Sequence, residues 1–148
     1  MIINGTKLLQ AAPIKAMSLT KLKANGVSHG LGEAGYDIRV KQDIILDINK
    51  RFKIASAIEE FDMPDNLVGV VHDKSTWARR GLSVFNTVIE PGWKGFLTLE
   101  LVYHGDSRLT IQAGSGIAQV LFSETVESIA YTGKYQNQED EPVHARSS

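Results

Sequence analysis

The stretch GFLTLELVY, residues 95–103, decides the fold class. In an extended chain, successive side chains point to opposite faces. Leu97, Leu99 and Leu101 then share one face, and Phe96, Thr98, Glu100 and Val102 share the other. Both faces are largely apolar, so the strand is expected to be central and covered on both sides. A carboxylate there is costly unless it is hydrogen-bonded or paired. Two readings of Glu100 stay open. It sits near a rim and pairs with a lysine or arginine, or it is a desolvated carboxyl with a raised pKa, suited to proton transfer.

Outward from this strand, the same chemistry repeats. YDIRV (36–40), IILDI (44–48), RFKIAS (51–56), LVGVV (67–71), LSVFN (82–86), RLTIQ (108–112), IAQVLFS (117–123) and SIAYT (128–132) are short and rich in β-formers. Breaks such as PDN, PGWKG, HGDS and AGSG separate them. About nine strands in roughly 110 residues imply an all-β sandwich or jelly-roll-like barrel. Two short helices are expected before it. Asn4 caps one running through Leu8 and Leu9, and Ser18 caps SLTKLKANG, ending at Gly26. Residues 1–148 read as one domain, with 136–148 a polar, mobile tail unless a ligand or neighbouring chain orders it.

Composition narrows the function. With 43% hydrophobic and 22% charged residues, the 148-residue chain has the mix of a soluble globular domain. Lys and Arg total 16 against 17 Asp and Glu. That balance argues against gripping nucleic acid by charge. There is no cysteine, which removes disulfides, thiolate zinc sites, iron–sulfur ligation and cysteine nucleophiles together. The four histidines show no metal spacing, so neither a metal site nor zinc is expected. No apolar run approaches the ~20 residues that span a bilayer, and MIINGTKLLQ lacks the features of a secretory signal. A cytoplasmic protein without a membrane partner is expected.

The densest group of reactive side chains is HDKSTWARRG, residues 72–81. It offers hydroxyls and cations to phosphate oxygens, or it is a solvated charged turn. VIEPGWKG (88–95) reads as a tight turn, with Pro91 fixing φ, Gly92 permitting positive φ and Glu90 at its entrance. Gln119, in an apolar strand, is a structural hydrogen-bonder or a ligand contact. YTGKYQNQ (131–138) supplies rings and a cation that would suit a nucleotide.

Taken together, these segments resemble the dCTP deaminase branch of the dUTPase-like superfamily. AGYDIRV (34–40) resembles the first superfamily motif, and FDMPDNLVGVV (61–71) the strand entering the second. KSTWARRGL (74–82) is similar to RSSxAR-GL, with lysine and threonine replacing arginine and serine. VIEPGWKGFLTLEL (88–101), GSGIAQVLF (114–122) and YTGKYQNQ (131–138) resemble the remaining blocks, in order.

The resemblance implies a distorted jelly roll (a dUTPase-like β-clip), assembled as a homotrimer with active sites between subunits. It implies an enzyme of the hydrolase class that converts dCTP to dUTP and ammonia without a catalytic metal. Mg²⁺ would accompany the triphosphate. Glu100 matches the catalytic glutamate, and Ser75 and Arg79 the pair that positions water. Lys74, Thr76 and Gln119 match phosphate contacts. Glu90 falls near the sugar, and Thr98 and Leu99 where backbone lines the pyrimidine pocket. Tyr131, Lys134 and Gln138 match contacts that close over the nucleotide. Some members hydrolyse dUTP further to dUMP and pyrophosphate. Two alternatives stand beside this reading: a dUTP diphosphatase, with Glu90 as its acid, and a nucleotide-binding regulator without turnover.

Overall fold

In Gly116–Glu124 (β11), Ala118, Val120 and Phe122 are fully buried, while Gln119, Leu121 and Ser123 are half-buried. This alternation is that of a strand pressed on a core by one face. The computed structural model describes residues 1–147; Ser148, the end of the expected tail, lies outside them. β11 lies inside a six-stranded sheet. Beside it run Tyr36–Arg39 (β3) and Leu67–Asp73 (β6), both antiparallel to it. Val27–Leu31 (β2) and Lys21–Ala24 (β1) extend the sheet beyond β3, and Val88–Ile89 (β8) extends it beyond β6.

A three-stranded sheet faces it. Lys94–Tyr103 (β9) is its middle strand, between Phe52–Asp62 (β5) and Leu82–Val84 (β7). The central placement expected of GFLTLELVY is therefore observed. Leu99, Leu101 and Tyr103 point into the core, with Ala55 and Ala57 from β5. Ile44–Leu46 (β4) and Leu109–Ile111 (β10) form a two-stranded ribbon whose alternate side chains are also buried. The all-β expectation holds.

The N-terminal part differs from expectation. Gly5–Ala11 (α1) is helical, with Asn4 at its N-cap position, although the Asn4 amide donates to the Glu33 carbonyl instead of the helix. The second expected helix, 18–26, is instead the hairpin β1–β2. Asn25 and Gly26 both have positive φ, 54° and 76°, and make the two-residue turn that matches strand twist. SIAYT (128–132) is not a strand either. It is tied down by isolated bonds, Ile129 N–H to the Asp65 carbonyl and Tyr131 N–H to the Pro91 carbonyl, with no ladder beside it. Among the described residues, no helix is long and apolar enough to cross a membrane.

Candidate active site

Between β7 and β8 the chain leaves the three-stranded sheet and joins the six-stranded one. A cleft of about 580 Å³ opens there. β9 presents Thr98 and Glu100 to it, β5 adds Phe52 and Ile54, and the turn before β9 adds Glu90 and Trp93. Glu90–Trp93 is the expected turn. The Trp93 N–H donates to the Glu90 carbonyl at 3.1 Å, and Gly92 has φ 76°.

The segment after residue 130 closes another side. Tyr131, Tyr135, Gln138 and Val143 line the cleft. The part read as a mobile tail is hydrogen-bonded along β9. Phe96 N–H donates to the Gln138 carbonyl, and Asn137 N–H to the Lys94 carbonyl. The approach is so close that a Cβ on Gly95 would lie 2.5 Å from the Gln138 nitrogen, so only glycine fits. Thr98 Oγ1 accepts from Gln138 Nε2 and from Val143 N–H, each at 3.0 Å.

Glu100 sits within this frame. Its backbone is fixed on both sides by β5 and by residues 85–86, with Phe85 N–H donating to its carbonyl at 2.7 Å. Its carboxylate oxygen Oε2 is buried and, among the described residues, has no hydrogen-bond partner. Burial pushes the carboxyl pKa up, and a bond from its own backbone N–H offsets part of that rise. Burial of Oε2 fits the desolvated reading, and among the described residues Glu100 makes no ion pair.

The other matched residues divide. Glu90, Thr98, Tyr131 and Gln138 line the same cleft as Glu100. Leu99 is fully buried in the core and does not line the cleft. Lys134 is exposed outside the cleft, where its ammonium donates to the Arg146 carbonyl and lies 5.5 Å from the Tyr135 ring. Gln119 is on β11, between Asp37 of β3 and His72 of β6.

Ser75, Thr76 and Arg79 belong to a separate place, the short helix Ser75–Ala78 (α2) and its C-cap. All three are exposed, and none lines the cleft. α2 is anchored by Trp77, whose Nε1 donates to the Gly116 carbonyl at 2.7 Å. Lys74, just before the helix, points inward. Its ammonium donates to Asp37 Oδ2 at 2.6 Å and to Ser28 Oγ at 2.9 Å, and both ionic side chains are only 10% exposed. The sequence reading missed Asp37 as this partner, and it missed Asn86, which spans the edge of β9. The tyrosine-aspartate pair of AGYDIRV was visible, but nothing in the spacing linked it to Lys74.

Comparison with known proteins agrees with this arrangement. Residues 36–125 match the family described as dCTP deaminase-like. A dCTP deaminase of Campylobacter curvus (strain 525.92) is 36% identical over 146 residues, covering 76% of this chain and 78% of that one. One of Herpetosiphon aurantiacus is 34% identical, covering 80% and 82%. In structure, the chain is similar to the dUTPase of EIAV, with a TM-score of 0.58, 23% identity and coverage of 86% and 96%. The dUTPase of Staphylococcus bacteriophage 80alpha gives 0.60, 14%, 82% and 94%. The likeness to dUTPases is one of fold and supports the dUTPase-like jelly roll. The hydrolase class expected from sequence is corrected. The relatives alike in sequence are named deaminases, and the dUTPase names belong to proteins alike in fold alone. With its matched region holding the buried acid of β9, the chain belongs to the dCTP deaminase-like family.

Proposed function

We propose that the protein deaminates dCTP, taking up water and releasing dUTP and ammonia. The observation that carries this reading is Glu100 Oε2, buried in a cleft and without a partner. A carboxyl in that state holds a proton more readily than one in water. In the proposed sequence the ionised carboxylate takes a proton from water as the water oxygen bonds to C4 of cytosine. The same group hands that proton to the amino nitrogen. The C4–N3 double-bond pair, displaced onto N3 by the attack, returns as the C4–N bond breaks and ammonia leaves, and the hydrogen left on the C4 oxygen moves to N3, giving uracil.

The rings of Tyr131 and Trp93 and the apolar side chains of β5 give the nucleotide a partly dry seat. Ser75 and Arg79, which the proposal uses to hold the water and offset developing charge, lie outside this cleft. The proposal therefore includes a homotrimer in which α2 of one copy faces the cleft of the next. The exposure of Ser75, Thr76 and Arg79 on a single copy supports it. Mg²⁺ enters with the triphosphate. Mg²⁺ would supply charge neutralisation to those phosphates. A cytoplasmic setting, where deoxynucleotides are available, belongs to the same reading.

Incubation with dCTP and Mg²⁺, in parallel with dUTP, tests the activity. Ammonia from dCTP is expected. Glu100→Gln should lower turnover by about 10²–10⁴-fold while nucleotide binding persists. Pyrophosphate from dUTP with dCTP untouched, or a Glu100→Gln variant that keeps most of its rate, overturns the proposal.

A further inference from the structure

β7 and β9 pair in regular antiparallel register through Val84 and Leu101. The last main-chain bond of that ladder is Phe85 N–H to the Glu100 carbonyl, at 2.7 Å. A continued strand would next accept from the Glu100 N–H and donate to the Thr98 carbonyl. The backbone does not continue, because Val88 and Ile89 cross to pair with β6 in the other sheet. The side chain of Asn86 takes its place. Its Oδ1 accepts from the Glu100 N–H at 3.0 Å, and its Nδ2 donates to the Thr98 carbonyl at 2.9 Å. The partners fix the orientation of the amide, since a backbone carbonyl cannot donate and an N–H cannot accept. A carboxamide has the donor and acceptor of a peptide group, so it extends the ladder where the chain has departed. Asn86 itself lines the cleft.

We propose that Asn86 is the positioning residue for Glu100, holding the edge of β9 in strand geometry at the point where the cleft opens. Without it, the Thr98 carbonyl and Glu100 N–H would face the cleft unpaired and recruit water. Water there would solvate the Glu100 carboxyl and loosen the backbone that aims it. Asn86 acts through the backbone of Glu100 and is not itself a catalytic residue. Its importance for turnover rests on the deaminase reading, but its effect on Glu100 does not.

The test separates these two. In Asn86→Ala, the carboxyl titration of Glu100, followed by carbon NMR, should move down toward an ordinary glutamate, and its backbone amide should exchange faster. In Asn86→Asp, which retains the acceptor but adds a like charge, the same titration should move up. The rise in Asn86→Asp follows from added charge alone, so the fall in Asn86→Ala, with faster amide exchange, is the change that a purely structural role would not produce. Neither variant replaces the other titratable side chains that line the cleft, Glu90, Tyr131, Tyr135 and His144. With dCTP, Asn86→Ala should lose roughly tenfold to a hundredfold in kcat with KM little altered. An unmoved Glu100 titration in both variants overturns the proposal. Shifted titrations alongside a wild-type protein that releases no ammonia would leave Asn86 in its role and remove the deaminase reading. Should Asn86→Ala fail to fold, Asn86→Ser takes its place, and a downward Glu100 titration with faster exchange of its amide decides.

Discussion

The cleft around Glu100 and the short helix carrying Ser75 and Arg79 are built in opposite ways. Around Glu100, one copy of the chain supplies walls on several sides: β5, the turn at Pro91, and residues 131–143. The acid is left without a partner inside them. At α2, the residues matched to chemistry face solvent, while the lysine beside them is spent on an internal pair with Asp37. Shelter for the acid comes from its own chain, whereas nothing in that chain brings the guanidinium of Arg79 to it. The strand buries an acid oxygen, whereas the helix leaves Ser75, Thr76 and Arg79 exposed.

Mixing experiments break or sharpen this contrast most strongly. Alone, Glu100→Gln should lose about 10²–10⁴-fold in activity and Arg79→Ala about 10²–10³-fold. Refolded together, the two variants should recover a substantial part of it, because some clefts then pair an intact Glu100 with an intact Arg79. No recovery would mean that both groups serve a site within one copy.

The next effect concerns stability. Lys74→Met leaves Asp37 buried and unpaired, which should cost about 3–5 kcal/mol in urea unfolding. Lys15→Met removes an ion pair to Glu60 whose side chains are 58% and 38% exposed, and it should cost far less, because solvent screens such a pair. Equal losses would show that the pair beneath α2 is as dispensable as one on the surface.

The smallest effect is on pH dependence. The folded chain keeps the Glu100 proton to higher pH than the unfolded chain does. Between the two values the folded state binds more protons, so this group lowers stability as pH rises through its folded pKa. Glu100→Gln cannot ionise. It should therefore melt slightly higher than wild type at neutral pH, and the difference should vanish at acid pH. A constant difference across pH would mean that Glu100 is not desolvated in the folded protein.

Legibility differed from element to element. IAQVLFS and GFLTLELVY were readable because alternation of side chains follows from local backbone geometry, whatever the neighbours. SIAYT has the same composition yet forms no ladder, because a strand exists only where a partner backbone is available. Residues 18–26 went wrong because Ser18 reads as a helix cap and Gly26 as a helix end. The stronger local signal was Asn25-Gly26, whose left-handed conformations turn the chain into a hairpin. The acid of β9 was visible as a carboxylate among apolar neighbours. Asn86 was not, because a side chain standing in for a missing backbone can be recognised only once the point where the chain changes sheets is known.

Composition, strand periodicity and the order of short motifs were enough to establish an all-β chain of the dCTP deaminase-like family with an acid at position 100. These are properties of neighbouring residues, and local geometry enforces them. Folding in three dimensions alone decided that Glu100 would be sheltered without a partner, that Lys74 would turn inward to Asp37, and that Asn86 would close the open edge of β9. Burial and pairing depend on groups brought together from distant parts of the chain, and no local pattern encodes their separation.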